Sequence, residues 1–430
     1  MISFERVTKR YPDGTVAVNE LSFTAPDGAI TVLVGPSGCG KTTSLRMVNR
    51  LIEPTEGRIA IDGTDVRARP AAELRRSIGY VIQHAGLFPH RTIVDNIATV
   101  PRLLGAERRV ARARAHELME LVGLDPALAK RYPHQLSGGQ QQRVGVARAL
   151  AADPPVLLMD EPFSAVDPIV RKGLQEEFLR IQAEFAKTIL FVTHDIDEAI
   201  KLGDKIAVLR EGGVLAQFDS PDRLLSEPAD EFVEQFLGRD RGIRRLTFYP
   251  SDGLSLLEGP VVASDTPAPS VRDAALAAGT PWLLVVDGER RPLGWANPAA
   301  LPDRGPVGAA RLIGFGHAFV RGTDSLRAAL DSAVLSATGW AVGVDGEGRT
   351  LGVISQESIG AAIRAAHTQA RAERADGAKA DEAKADEAKA DEAKADEAKA
   401  DEARADEAEA QAGAGDVAAK SGKQPAERAG

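Results

Sequence analysis

Short apolar runs alternate with longer amphipathic runs from residue 1 to about residue 237. This alternation predicts strands and helices in turn, which is typical of an α/β domain with a largely parallel sheet. Four of the apolar runs are followed directly by a glycine-rich loop or by a polar or charged residue. The runs are Ile30–Val34, Ile78–Ile82, Val156–Met159 and Thr188–Thr193.

The first of these predicted strands leads into a phosphate-binding motif. Gly35–Thr43, GPSGCGKTT, fits G-x-x-x-x-G-K-[ST], and a helix-compatible run, Thr42–Val48, leaves it. Glycines let backbone N–H groups turn onto phosphate oxygens, and the helix N-terminus adds partial positive charge. The predicted nucleotide-binding residues are Gly35, Pro36, Ser37, Gly38, Cys39, Gly40, Lys41, Thr42 and Thr43. Among these, Lys41 is expected to reach the β- and γ-phosphates and Thr42 to bind Mg²⁺.

The remaining strand ends and one glycine turn supply further candidate chemistry. Gln83 follows the second strand, and Leu136–Gln140 opens a helical run from Gln141 to Ala151, a second anion-accepting helix N-terminus. Asp160 is expected to hold Mg²⁺ through water, and Glu161 to polarise the water that attacks the γ-phosphate. His194 is expected to contact the γ-phosphate or to position that water.

Tyr11 lies in a polar turn about two dozen residues before the phosphate-binding loop. An aromatic side chain there would stack on a nucleotide base, or it is an ordinary turn tyrosine. Spacing does not separate these two interpretations.

Membrane crossing and disulfides are not predicted. No apolar run reaches the 18 or so residues of a spanning helix, and Met1–Arg6 lacks the pattern of a signal peptide. The one cysteine, Cys39, cannot form an intrachain disulfide, which suits a reducing cytosol, and it is expected to be a small loop filler. Any membrane association is therefore expected to be peripheral.

The net charge of −9 comes mostly from a repeat of Ala-Lys-Ala-Asp-Glu. Residues 378–410 hold six basic and thirteen acidic residues, which leaves −2 for the rest of the chain. A nearly neutral folded part gives no charge argument for nucleic acid. A period of five puts no apolar stripe on one helix face, so residues 370–430 are expected to form a low-complexity tail, partly helical or disordered.

Five features together carry a resemblance to a known family: the phosphate-binding loop, Gln83, LSGGQ at Leu136–Gln140, LLMDEP at Leu157–Pro162 and His194. The chain resembles the ATP-binding subunit of ABC transporters. The resemblance implies a P-loop ATPase domain over 1–237, with a helical subdomain at about 85–150. It implies that Tyr11 stacks on adenine, that Gln83 is the Q-loop sensor and a third Mg²⁺ ligand beside Thr42 and Asp160, and that Ser164–Asp167 is the D-loop. Glu161 becomes the catalytic base and His194 the switch histidine. ATP would also contact Ser137, Gly138, Gly139, Gln140 and Asp167.

The same resemblance implies a head-to-tail pair of ATPase subunits. Each ATP would lie between the phosphate-binding loop of one subunit and the LSGGQ of the other. A groove near the Q-loop would receive a helix of a membrane permease, and residues 82–96 are expected there, with Leu87, Phe88 and Pro89 as an apolar knob. A packed loop is the alternative interpretation of that knob.

Two stretches, RMVNRLIEPT at Arg46–Thr55 and Ile78–Asn96, resemble the ATPases of glycine betaine, carnitine, choline and proline importers. This implies import of a quaternary amine, with an extracytoplasmic binding protein and the permease choosing the solute. The alternatives are an importer of another small solute, such as an amino acid or polyamine, or a soluble ABC ATPase acting on DNA or ribosomes. The 95 residues from Lys41 to Leu136 leave no room for the long coiled coil of chromosome-type members.

A repeat with a spacing of 58 residues follows the first domain. Trp282 and Gly294 align with Trp340 and Gly352, and each copy reads as helix, strand, Asp-Gly turn, strand. The two tryptophans are expected in the core rather than at a ligand. Residues 250–365 resemble a pair of cystathionine-β-synthase-like (CBS) modules, an α+β fold. The resemblance implies regulation by ionic strength at an anionic membrane or by a nucleotide, and a dimerisation module without ligand is the open alternative.

Overall fold

The computed structural model describes residues 1–83, 86–164, 166–366 and 368. These residues divide into two compact units, one ending at Phe248 and the other beginning at Tyr249, which are described separately below. The predicted tail at 370–430 lies outside the described residues. Within the described part of the chain, no helix combines the length and apolarity needed to cross a membrane.

The first unit contains ten strands and eleven helices among its described residues. Its strands are β1 (Ile2–Arg10), β2 (Val16–Ala25), β3 (Ile30–Val34), β4 (Glu56–Ile61), β5 (Thr64–Asp65), β6 (Ile78–Val81), β7 (Val156–Asp160), β8 (Thr188–Val192), β9 (Lys205–Arg210) and β10 (Val214–Asp219). Its helices are α1 (Lys41–Val48), α2 (Ala71–Arg76), α3 (Ile93–Ile97), α4 (Thr99–Leu103), α5 (Arg108–Leu121), α6 (Gly138–Leu150), α7 (Pro168–Phe185), α8 (Ile196–Leu202), α9 (Pro221–Ser226), α10 (Glu231–Leu237) and α11 (Arg241–Arg245).

A six-stranded sheet in the order β10-β9-β3-β8-β7-β6 forms the centre of this unit. All neighbours pair in parallel except β9 and β10. Strands β3, β7 and β8 are buried along their whole length, which explains their continuous apolar sequences. The parallel arrangement brings the carboxyl ends of β3, β6, β7 and β8 to one edge. The predicted α/β fold is confirmed.

A second sheet, antiparallel and in the order β2-β1-β4-β5, packs with the side of the large sheet that contains α1. The helices α3, α5 and α6 pack together in the other main core, in which Ala111, Ala115, Leu118 and Met119 form one buried face of α5. Helix α6 begins at Gly138, three residues before the predicted start, because Ser137 caps it.

The second unit contains two copies of a β-α-β-β arrangement. The first copy is β11 (Val261–Ala263), α12 (Ala268–Ala277), β12 (Leu283–Val286) and β13 (Pro292–Ala296). The second copy is β14 (Phe319–Val320), α13 (Leu326–Leu335), β15 (Trp340–Val344) and β16 (Thr350–Ser355). In each copy the first strand pairs in parallel with the second, and the second pairs antiparallel with the third.

The two copies interlock through the segments that precede them. Leu257, ahead of the first copy, bridges Val353 in β16, whereas Ile313, ahead of the second copy, bridges Trp295 in β13. Between the two sheets lies one shared apolar cluster with members from both copies. They include Leu284, Val286, Trp295, Val342, Val344 and Val353. Trp282 and Trp340 are half-buried and pack against this cluster, while Trp295 is the fully buried tryptophan.

Candidate ATP-binding and hydrolysis site

The phosphate-binding loop needs glycine at two positions for steric reasons. Gly35 has φ 151° and Gly40 has φ 87°. A Cβ atom at Gly35 would lie 2.3 Å from the carbonyl oxygen of Leu209, and one at Gly40 would lie 2.2 Å from that of Ala17. Any larger residue would therefore push the loop off strands β9 and β2, and helix α1 would start in a different place.

Lys41, the first residue of α1, is buried and points its ammonium into the loop. Its Nζ donates to the carbonyl oxygens of Gly35 at 2.8 Å and Pro36 at 2.9 Å. The loop therefore holds one positively charged group close to its backbone. Positive charge next to backbone N–H groups is what a phosphate-binding site requires. Cys39 is fully buried beside Lys41, and burial raises the pKa of its thiol, which favours its interpretation as a loop filler.

Asp160 and Thr42 form an oxygen-rich pair at the end of β7. The Thr42 hydroxyl donates to Asp160 Oδ1 at 2.9 Å. Burial raises the pKa of Asp160, while the Thr42 hydrogen bond and the nearby Arg46 guanidinium oppose that shift. Arg46 lies 3.8 Å from Asp160 Oδ2. The carboxylate is thus held in place without being neutralised by a close ion pair.

Glu161 is the centre of a second cluster. Its Oε2 accepts from Gln83 Nε2 at 3.2 Å and lies 3.1 Å from His194 Nδ1. Its backbone is in the left-handed region, φ 47°, and its N–H donates to the carbonyl of Val192 in β8. This unusual backbone turns the Glu161 side chain away from the direction of the strand, towards the residues that follow β6 and β8.

Ser164 connects to the same cluster through the backbone of Glu161 and the side chain of Gln83. Its hydroxyl donates to the carbonyl oxygen of Glu161 at 2.9 Å and accepts from Gln83 Nε2 at 3.5 Å. Three segments separated by as many as 111 residues in sequence therefore meet at Glu161. This cluster adjoins the Asp160 pair, because Asp160 and Glu161 are consecutive.

The LSGGQ segment is organised separately. The Ser137 hydroxyl caps α6 by accepting from the N–H of Gln140. In turn, the side-chain oxygen of Gln140 accepts from the N–H of Ser137. The hydrogen bonds of the described residues connect Ser137–Gln140 neither to the phosphate-binding loop nor to Glu161. Gly138 is exposed at the helix start, and its backbone faces solvent.

Tyr11 lies in a turn, and Asp167 lies just ahead of a helix. Tyr11 lies half-buried in the turn between β1 and β2, with Lys9 Nζ 5.3 Å from its ring centroid. Strand β2 also supplies the Ala17 carbonyl that abuts Gly40. Asp167 is exposed just ahead of α7, and its carbonyl oxygen accepts from the N–H of Arg171.

Arg46 and Tyr80 are site residues to which the sequence analysis gave no role. Arg46 lies four residues after Thr42 on α1, so helical spacing alone would have placed both on one face. Tyr80 lies in β6 beside Arg46 and Asp160, and burial raises the pKa of its hydroxyl. A search of the predicted strand for buried polar groups would have found it.

The chain is similar to known transporter proteins. The family model described as "ABC transporter" matches residues 18–164. The osmoprotectant import ATP-binding protein OsmV of Salmonella typhimurium is 43% identical over 380 residues, which are 86% of this chain and 98% of that protein.

Two further relatives match mainly the first unit. The choline transport ATP-binding protein OpuBA of Bacillus subtilis is 54% identical over 57% of this chain and 64% of its own length. The carnitine transport ATP-binding protein OpuCA of Listeria monocytogenes is 55% identical over 56% of this chain and 60% of its own length. These matches agree with a site that combines a phosphate-binding loop, a strand-end carboxylate pair and LSGGQ. The resemblance seen in the sequence is confirmed, and the chain belongs to the ATP-hydrolysing ATP-binding proteins of the ABC transporter family.

Proposed function

We propose that this protein energises import of an osmoprotectant through a membrane permease, either a quaternary amine such as glycine betaine, carnitine or choline, or proline. The supporting observation is the extent of the similarity to OsmV. That similarity covers 86% of the chain, more than the 248 residues of the first unit, so it includes the second unit as well. The relatives named for choline and carnitine transport favour the same solute class.

Glu161 is the proposed general base for hydrolysis. Its carboxylate lies at the carboxyl edge of the sheet and has two polar neighbours, Gln83 and His194, that orient it. A carboxylate in this setting accepts a proton from the attacking water, and His194 and Gln83 hold that water and the γ-phosphate in line. Lys41 neutralises charge on the β- and γ-phosphates.

Thr42 and Asp160 fit a Mg²⁺ ion that accompanies ATP. They offer oxygen donors only, 2.9 Å apart, and one buried carboxylate whose lone pairs are not taken by a close cation. Magnesium in nucleotide sites is bound by one or two such groups together with phosphates and waters. It would neutralise charge that develops on the phosphate oxygens. Gln83, the third predicted ligand, bonds to Glu161 in this structure, so its role as ligand requires its amide to turn towards Asp160.

Two copies of the first unit, or this subunit with a paired ATPase, would complete each ATP site. Ser137 and Gly138 are exposed at the N-terminus of α6, which suits contact with ATP held by another subunit. Tyr11 would stack on the adenine, and Asp167 would contact the nucleotide or the facing subunit.

An open groove of about 260 Å³ in the first unit is the proposed permease contact. Its walls include Phe88, Val100 and Leu103, with Arg75, Arg76 and Arg148 around them. Leu103 is 62% exposed and Phe88 39% exposed, so the groove offers two large apolar side chains to a partner. The predicted contact segment, residues 82–96, contributes Phe88 to this groove, whereas His84 and Ala85 lie outside the described residues. Such a permease contact would place the subunit at the cytoplasmic face of the membrane.

The second unit is proposed to be a CBS pair, residues 250–365. Its two interlocked β-α-β-β copies support this interpretation. Ionic strength at an anionic membrane or a nucleotide would act on it as a regulator, and the alternative is a dimerisation module without ligand.

The test is ATPase stimulation of the subunit reconstituted with its permease and binding protein. Betaines, choline, carnitine, proline, polyamines and amino acids are compared at low and high salt. Stimulation by a quaternary amine supports the proposal, and a salt dependence supports regulation by the second unit. Stimulation by polyamines or other amino acids alone would leave the ATPase assignment intact and contradict the solute class.

A further inference from the structure

Asn96, in helix α3, is fully buried yet makes four hydrogen bonds to the backbone of the segment before it. Its side-chain oxygen accepts from the N–H of Phe88 at 2.7 Å. Its side-chain nitrogen lies 3.1 Å from the carbonyl oxygens of Phe88, Arg91 and Thr92. Both backbone groups of Phe88 are thus held by one side chain. A buried amide with this many partners fixes its loop firmly, since breaking the bonds would leave polar groups unpaired.

The segment that Asn96 fixes, residues 88–92, places Phe88 on the wall of the proposed permease groove. The Arg91 guanidinium lies 5.0 Å from the Phe88 ring centroid, and its NH1 donates to the Thr99 hydroxyl at 3.0 Å. Phe88 is therefore fixed through its backbone from α3 and flanked by a side chain bonded to α4. The exposed ring has a defined position although it lies on a loop.

The other end of the segment is fixed from the LSGGQ helix. Arg148, near the end of α6, donates to the carbonyl oxygen of Gly86 at 2.7 Å. Helices α3 and α6 pack against each other in one core. Movement of Phe88 is thereby linked to α3, and through α3 to the helix that begins at LSGGQ, rather than being absorbed by a flexible loop.

We propose that Asn96 is a positioning residue that couples the permease groove to the ATPase. Asn96 fixes Phe88 so that a permease helix entering the groove moves α3 and α6 as one body. This inference rests on the proposed groove contact. Asparagine suits the position because its amide oxygen accepts from the Phe88 N–H while its NH2 group offers two donors to carbonyl oxygens, whereas a threonine hydroxyl offers only one. Aspartate would accept, but its charge would face three carbonyl oxygens.

The test compares Asn96→Ala and Asn96→Asp with Arg112→Ala. Arg112 makes a two-bond ion pair with Asp95, the neighbour of Asn96 on α3, but the pair does not hold Phe88. Arg112→Ala therefore controls for general weakening of α3. Asn96→Asp keeps the side-chain volume, so that loss of packing is separated from loss of donors.

Three readouts are taken for each variant. Hydrogen exchange of the peptide covering residues 86–92 reports how firmly the backbone around Phe88 is fixed. Basal ATPase activity of the full chain reports on the nucleotide site. Stimulated ATPase activity is measured in the complex with permease, binding protein and glycine betaine. Both Asn96 variants are expected to lose amide protection and stimulation while keeping basal ATPase. Arg112→Ala is expected to keep all three.

Full stimulation of an Asn96 variant whose loop exchanges rapidly would overturn the inference, as would an equal loss in Arg112→Ala. Leu103→Asp, on the groove wall, separates the two levels of the proposal. If Leu103→Asp abolishes stimulation and Asn96→Ala does not, the groove contact holds and the role of Asn96 is wrong. If Leu103→Asp leaves stimulation intact, the groove contact itself is wrong.

Discussion

At the scale of single residues, the site places a charge where burial disfavours it. Burial raises the pKa of Asp160, and the cations that oppose this shift are Lys41 and Arg46, of which Arg46 is about half-exposed and lies 3.8 Å away. A carboxyl whose pKa is raised by folding costs stability when ionised, and this cost is present at pH values above the raised pKa. The arrangement is unfavourable for folding but suits a group that receives Mg²⁺ with ATP.

Asp160→Asn should therefore remove a destabilising charge while abolishing function. The neutral amide still accepts from Thr42, so the nucleotide-free variant is expected to melt at or above the wild-type temperature at pH 7. The wild type should lose stability relative to the variant as pH rises from below the ordinary aspartate pKa. Mg²⁺-dependent ATPase should fall by on the order of 100-fold or more.

Thermal melting and ATPase assays check this prediction, with Asp153→Asn as the control. Asp153 is an exposed aspartate paired with Lys187 just before β7, so its substitution should change neither quantity appreciably. A large loss of stability in Asp160→Asn, with the control unaffected, would show that the ionised carboxylate stabilises the fold.

The sequence predicted most of the residues that meet at the sheet edge, because each follows an apolar run and parallel strands end together. Gln83, Asp160, Glu161 and His194 all follow this logic. Arg46 and Tyr80 were missed because they lie inside elements, where their contacts depend on which neighbouring strand approaches. The direct bond from Gln83 to Glu161 also depends on side-chain conformation, which strand patterns do not encode.

At the scale of elements, the interlocking of the second unit was not predictable from periodicity. The segments that precede each copy, around Leu257 and Ile313, pair with the other copy through single isolated bridges. These bridges are too short to produce an alternating pattern of apolar and polar residues. One signal was present in the repeat. The aligned glycines Gly294 and Gly352 each lie against one of these segments, and an added Cβ would come within 2.9 Å of the Ile313 oxygen and 2.6 Å of the Leu257 oxygen respectively.

Two truncated chains test this interlocking. A chain that stops after Phe248 should fold and keep ATP hydrolysis. The reason is that the two hydrophobic cores of the first unit consist only of residues from that unit. A chain that stops after Ile313 retains the first copy but loses the strands that cover Leu284, Val286 and Trp295. Exposing this apolar face should make the longer fragment aggregate.

Size-exclusion chromatography and thermal melting of the two truncated chains check the prediction. The shorter chain is expected to be soluble and to melt cooperatively, with the longer chain aggregated or partly unfolded. If the chain ending at Ile313 behaves as well as the one ending at Phe248, the two copies fold independently and the shared cluster contributes little.

At the scale of the whole molecule, the chain combines an ATPase unit with a second unit that contains two copies of one β-α-β-β arrangement. The net charge of −9 misleads at this scale, since residues 378–410 account for −7 of it. The similarity to OsmV extends beyond the first unit into the second, whereas the residues proposed for hydrolysis all lie in the first. The proposed function at this scale is the coupling of hydrolysis at Glu161 to solute movement through a permease.

The most direct test of the account is ATP-dependent uptake of radiolabelled glycine betaine. Proteoliposomes contain the permease, the binding protein and either the wild-type subunit or Glu161→Gln, with Glu234→Gln, an exposed surface substitution, as control. The wild type and the control are expected to accumulate the solute. Glu161→Gln should bind ATP but lose uptake by 100-fold or more, because removing a general base costs about 10²–10⁴ in rate. Wild-type rates of uptake with Glu161→Gln, or no uptake of any quaternary amine by the wild type, would contradict the account.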